Sequence, residues 1–174
     1  KVENCVTQGI VQGKGIDEIT KDMADSLKTA NENRMRLFAR TSMTGAQNAG
    51  RQAEMDDAEE MGIKVKKRWV ATLDNRTRDT HHDLDGQEVD IDEPFEVDGM
   101  EIMFRGDPSC EYPELVYNCR CTMIEVYPDI DRKSVRRAYY DEDDEEYEEG
   151  KRKSYLVEDM TYAEWKEWKE GKKK

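Results

Sequence analysis

Apolar positions recur three and four apart through the first third of the chain, and two apart through the second. Residues 1–14 are polar and glycine-containing and read as a loose lead-in. Ile16, Ile19, Met23, Leu27 and Ala30 then take helical spacing, with Asp17 and Glu18 well placed in the first turn. A second helix is predicted over residues 33–61. Its small residues Ala46, Ala49 and Ala53 suit close approach of another helix, and Gly62 stands where a C-terminal cap belongs. In "IKVKKRWVAT" the period becomes two: Ile63, Val65, Trp69 and Ala71 alternate with Lys64, Lys66, Arg68 and Val70, a half-buried strand. Asp74 or Asn75 can cap a short helix that ends near Asp85-Gly86. "FEVDGMEIMF" is a hairpin about Asp98-Gly99, a pair suited to a type I′ turn. Residues 115–126 read as a last strand. Near the end, Thr161 and Glu164 form a capping box, Met160 and Trp165 a hydrophobic staple, and Trp165 and Trp168 share a face.

These elements predict an α+β fold. N-terminal helices (1–62) precede a small, mainly antiparallel sheet with one short helix (63–127). An acidic tether and a short tryptophan-bearing helix (128–174) follow. Composition sharpens this. Only 36% of the 174 residues are hydrophobic and 40% are charged, so the core is small. Residues 141–149 carry eight acidic side chains in nine positions and should stay extended and solvated. The net charge of −13 gives the chain no overall attraction to nucleic acid or anionic lipid. Lys64, Lys66, Lys67 and Arg68 can touch phosphate locally, although one exposed strand face accounts for them more simply. No apolar run approaches the roughly 20 residues that cross a bilayer, and no signal-peptide pattern is visible. The chain starts at Lys1, as a fragment or a processed form would. Four cysteines are too few for a disulfide scaffold, which favours a reducing compartment.

Candidate chemistry centres on "YNCRCTMIEVY". On a strand, Cys119 and Cys121 point to one side and can offer two sulfurs to one ion. Cys110 and His81 or His82 are the candidates for the remaining positions of a structural zinc site, closed by four protein ligands. The competing readings are two small buried thiols, or a disulfide from Cys110 to one of them. Asp74, Arg76, Arg78, His81, His82, Asp83 and Asp85 form an acid–base group, but no nucleophile or phosphate loop accompanies them. Trp165 and Trp168 either anchor a partner or fold back onto the domain.

The ordered series "RWVATLDNRTRDTHHDLDGQ", "RGDPS" and "YNCRCT" resembles the phage Mu F-like head morphogenesis family over residues 35–127. The matching positions are Trp69, Thr72, Asp74, Arg76, His81, Leu84, Asp85, Gly86, Gly106, Asp107, Pro108, Asn118, Cys119, Arg120 and Cys121. His81, not His82, takes the family's histidine position, whereas a cysteine at 110 departs from the pattern. "MTYAEWKEW" resembles the terminal helix of many members. The resemblance implies a minor head (capsid) protein of a tailed phage or prophage, not an enzyme. Such a protein acts in head morphogenesis with portal and other capsid or scaffold proteins. Its implied place is the virion, reached from the host cytoplasm during assembly, and contact with packaged DNA stays open. The alternative is a toxin-type module, a nuclease or an ADP-ribosyl transferase, using Arg76, His81 and Asp85.

Overall fold

The structure is a computed structural model that describes residues 2–27, 31–130 and 134–172. Three helices lead: α1 (Val2–Val11), α2 (Ile16–Leu27) and α3 (Glu32–Glu60). The first was expected to be a loose lead-in. It is helical because Val6 buries against Ile19 and Met23 of α2 and Ala39 of α3, a stabilisation that local sequence does not announce. The helix predicted from Ile16 is present, and Ala30 of its stripe lies outside the described residues. Asn31 caps α3 by accepting from the Asn33 N–H at 2.9 Å, and Gly62 ends it at φ +82°.

The alanine stripe of α3 does not pack as expected. Ala46 and Ala53 are exposed, and the buried face carries Ala39, Gly45, Asn48 and Met55. Close approach is made instead by Gly45, whose absent side chain leaves room for the Gly106 carbonyl 2.8 Å from where a Cβ would stand. Gly106 itself sits at φ +84° and meets the Gly45 backbone in return. Asn48 covers the nearby sheet edge, accepting from Thr122 Oγ1 at 3.0 Å and from the Met123 N–H at 3.3 Å.

Among the described residues seven short strands form three antiparallel sheets where one was expected. The main sheet has the order β2 (Glu88–Asp90), β1 (Lys66–Val70), β5 (Thr122–Val126), with Trp69 opposite Met123. β3 (Phe95–Val97) and β4 (Met100–Ile102) make the predicted hairpin, with Asp98 at φ 52° and Gly99 at φ 75°. The predicted strand over 115–126 is shorter. Pro113 starts a small helix, α5 (Pro113–Val116), and Asn118 turns left-handed at φ 52°. Cys119–Cys121 therefore precede β5. Their carbonyl groups bond elsewhere, Cys119 O to Arg105 and Arg120 O to Thr72 Oγ1.

The acidic run is not a free tether. It connects β6 (Val135–Tyr139) to β7 (Ser154–Glu158), and Asp141 and Asp144 ion-pair with Lys169 of α6 (Tyr162–Lys172) at 3.1 and 2.7 Å. Glu142, Asp143, Glu145 and Glu146 face solvent. The predicted box caps α6, with Thr161 N and Oγ1 donating to Glu164 at 2.6 and 2.9 Å. Trp165 is fully buried with Leu73, Ala138, Val157 and Tyr162, so the terminal helix folds back onto its own chain.

The basic strip also differs from expectation. Lys66 pairs with Asp90, and Arg68 with Asp159. Lys67 lies on the inner face of β1, in step with Val65 and Trp69, and has no exposed surface. Its ammonium donates to the carbonyls of Ile91 at 2.8 Å and Met103 at 2.7 Å, over the Phe95 ring. Burial pulls its pKa down to about 8.

Gly106→Ala should destabilise the fold by at least about 2 kcal/mol, combining a left-handed penalty with the clash against Gly45. Urea denaturation measures it, and an unchanged midpoint would refute the contact's importance.

Candidate metal centre

α4 (Asp79–Leu84) begins at Arg78, which has no side-chain cap. Asp74 does not cap it as expected, because its carboxylate is used in the preceding turn: Oδ1 accepts from the Arg76 N–H at 3.1 Å and Thr77 Oγ1 at 3.3 Å. Residues one apart on a helix point to different sides, and α4 uses this at its two histidines. His82 stacks on Tyr162 with ring centroids 3.5 Å apart, so it faces the C-terminal helix. Burial lowers its pKa.

His81 faces the core, 1% exposed, with its ring edge-on to Trp69. Its Nε2 stands 3.1 Å from the Glu114 carbonyl. A carbonyl can only accept, so Nε2 carries the proton and Nδ1 presents a lone pair. That lone pair lies 3.1 Å from Cys119 Sγ and 3.3 Å from Cys121 Sγ. The three donor atoms lie within 4.8 Å of one another and all three residues are buried. Both cysteines are free thiols, and so is Cys110, which excludes the disulfide reading here.

The electrostatics favour a negative sulfur. Burial raises the Cys119 thiol, but the hydrogen bond that Cys121 donates to its sulfur, together with the charge of Arg105, outweighs it and holds the thiol well below its ordinary value. Cys121 moves well above its ordinary value, because it hydrogen-bonds the Cys119 sulfur and is buried. Arg105 has no exposed surface; its Nη2 donates to Cys119 O at 2.6 Å, and its Nε and Nη1 find no partner among the described residues. It is the arginine of the "RGDPS" stretch, to which the sequence alone assigned no role.

The donor set suits a soft tetrahedral ion. Bonds of about 2.3 Å to sulfur and 2.0 Å to nitrogen would set N and S about 3.5 Å apart, and the observed spacings of 3.1 and 3.3 Å need to open by only a few tenths of an ångström. The Glu114 carbonyl supplies the outer hydrogen bond that fixes a metal-binding imidazole. Cys110, expected as fourth ligand, is elsewhere. Asp107 folds the Gly106–Ser109 turn by accepting from Ser109 N at 2.8 Å and Ser109 Oγ at 2.6 Å. This sends the Cys110 thiol to the carbonyls of Glu101 and Tyr112. Among the described residues the cluster has three protein donors, and the same three side chains line the floor of a hollow of about 490 Å³.

The other motif residues build the frame. Asp74, 1% exposed, takes a two-pronged pair from Arg120, with Nη2 at 2.8 Å. Burial pushes the Asp74 carboxyl up, but Arg120 and the Arg76 N–H outweigh it and leave the pKa below the usual carboxylate value. Asp85 accepts from Ala71 N and Tyr162 N, both at 2.6 Å, and from Arg136 at 2.8 and 3.0 Å. Gly86, at φ +82°, donates its N–H to Trp69 O. Asn118 accepts from Arg40 through its side chain and donates its N–H to Thr41 Oγ1. Arg76 is largely exposed, and no hydrogen bond or ion pair joins Arg76, His81 and Asp85 among the described residues. The three residues that the toxin-type alternative would use are therefore not in direct contact with one another. Trp165, expected to anchor a partner, has no exposed surface, and Trp168 is half-buried beside Tyr155.

The motif residues of this charged α+β module bond largely to one another around a buried three-donor cluster. The chain belongs to the phage Mu protein F like family, whose model matches residues 1–124. It is 30% identical over 175 residues to minor head protein GP7 of Bacillus phage SPP1, covering 96% of this chain and 50% of that protein. It is 36% identical over 129 residues to NAD(+)--arginine ADP-ribosyltransferase EFV of Enterococcus faecalis, covering 74% of this chain and 26% of that protein. Over 128 residues it is 32% identical to YqbB of Bacillus subtilis, covering 72% of this chain and 41% of that protein. The chain therefore spans from about a quarter to half the length of these relatives. No solved structure matches it significantly.

Because Asp74 has a depressed pKa in the folded chain, its pair with Arg120 contributes stability above the unfolded value of about 4 and loses it as pH falls through the lower folded value. The stability gap between wild type and Asp74→Asn should narrow below about pH 4. Thermal melts from neutral to acid pH check this, and a constant gap would refute the pair's role.

Proposed function

We propose that the chain is a non-enzymatic structural module of a tailed-phage or prophage head. In this reading it acts in head assembly, in the host cytoplasm and then in the virion, by docking on portal and other capsid or scaffold proteins. The observation that carries it is likeness to a minor head protein over 96% of this chain and 50% of that protein, against 74% of this chain and 26% of the ADP-ribosyltransferase. Internal bonding of the motif residues supports it. Asp85 has both oxygens engaged, and His81 is held between a carbonyl and two sulfurs, so neither is poised toward a substrate. Among the described residues no helix is long and apolar enough to cross a membrane.

The docking surface moves from the terminal tryptophans to α3. A hollow of about 830 Å³ runs beside that helix, with Leu37, Phe38 and Tyr117 exposed by 41–54% at its edge. Large exposed apolar side chains in one place mark a protein-binding face. Within the module, zinc held by His81, Cys119 and Cys121 would fasten α4 to the segment entering β5, stabilising a chain with a small core.

Leu37→Asp with Phe38→Asp should weaken co-purification with the portal protein of the same phage by about tenfold or more without lowering the melting temperature. Turnover of NAD⁺ or nucleic acid that disappears in His81→Ala would instead establish an enzyme. Protein purified without added metal should carry about one zinc per chain, and Cys119→Ser should lose it together with thermal stability. Metal below about a tenth of that, with both thiols alkylated readily in the folded state, would leave a purely packed cluster.

A further inference from the structure

The hollow above the metal centre collects positive charge that the chain as a whole lacks. Arg40 from α3, Arg76 and Arg78 from the turn before α4, Arg120 from between the two sulfurs and Arg152 from the approach to β7 all line it. No aspartate or glutamate does. Asp74 lies beneath, bonded by Arg120 and approached by Arg76 at 3.6 Å and Arg152 at 3.9 Å. One carboxylate thus serves three guanidinium groups. The other two have none among the described residues: Arg40 donates to Asn118 Oδ1 at 2.8 Å, and Arg78 to the carbonyls of Glu114 at 3.0 Å and Tyr117 at 2.9 Å. These neutral acceptors fix the two forks in place without cancelling their charge. In a chain of net charge −13, such a concentration opposes the composition.

We propose that this hollow binds a single phosphate group, carried by a nucleotide or by a DNA end. The planar fork of arginine matches phosphate oxygens two at a time, and preset forks lose little freedom on binding. The volume of about 490 Å³ suits one phosphate with its attached nucleoside. Crowding is visible in the arginines themselves. Burial first, then the charges of Arg120, Arg36 and Arg76, lowers Arg40 below its ordinary value, and burial lowers Arg152 likewise, with Arg120 and Arg76 adding to it. An incoming phosphate would relieve that repulsion. This inference goes beyond the assembly reading and stands or falls without it.

Calorimetric titration with inorganic phosphate and with ATP, and anisotropy with a short duplex bearing or lacking a 5′-phosphate, test it at low salt. Arg78→Gln with Arg152→Gln should weaken binding by about tenfold or more and flatten its salt dependence. Arg152→Gln alone, at a half-exposed side chain, should weaken it severalfold in a chain that melts normally. Lys64→Gln, at an exposed site outside the hollow, should bind like wild type. Tighter binding of 5′-phosphorylated duplex than of ATP identifies a DNA end as the source, and the reverse identifies a nucleotide. Absence of binding to every phosphate probe would overturn the proposal, as would equal affinity of the arginine variants and wild type.

Discussion

The carboxylate of Asp85 accepts hydrogen bonds from three segments that lie far apart in the chain. The Ala71 N–H comes from the exit of β1, Arg136 from β6, and the Tyr162 N–H from the start of α6. Arg136 also donates to the carbonyls of Ala71 and Met160, both at 2.5 Å. A chain that is 36% hydrophobic gains little from apolar contact alone, and it also buries charged groups held by ion pairs or hydrogen bonds. Removing one partner of such a pair costs about 3–5 kcal/mol, because the other charge is left stranded. Asp74 with Arg120, and Lys67 under two carbonyls, repeat the same solution. The C-terminal hairpin and helix depend on it most, since Asp85 falls inside the family segment, residues 1–124, and Arg136 lies beyond it.

Six-residue α4 carries this frame to the His81, Cys119 and Cys121 donor cluster. Its first histidine meets two sulfurs, and its second stacks on Tyr162 of α6. The same short helix therefore touches the donor cluster on one side and the terminal unit on the other. Arg120 links them again: its neighbours on both sides are the sulfur donors, while its own guanidinium holds Asp74, whose carbonyl takes the Tyr162 hydroxyl at 3.1 Å. Motif residues scattered over some fifty positions are thus tied to one another by hydrogen bonds and ion pairs.

Much of this was readable from the residues. The helices over 16–27 and 32–60, the Gly62 cap, the Asp98-Gly99 hairpin and the Thr161–Glu164 box depend on neighbours within four positions, so local pattern suffices. Membership of the Mu F-like family was readable from the order of the motifs. Lys67 was readable too, since it falls on the inward parity of Val65 and Trp69, but its charge argued for the surface. The strands β6 and β7 were hidden among charged residues, and α1 had too few apolar positions to stand without α2.

The sequence by itself determined the α+β order of elements, and it supplied the cysteine pair and the histidine that meets it. The order of elements follows from short-range geometry, since backbone angles, side-chain period and caps act between near neighbours, whereas His81 was singled out by the family resemblance. Only the tertiary structure decided that Cys110 turns away, that Trp165 is buried and that five arginines meet over the sulfurs. Those outcomes depend on contacts between segments tens of residues apart. Their direction is set when a glycine-to-glycine approach, a left-handed asparagine and a buried ion pair close together, and none of these can be inferred from spacing along the chain.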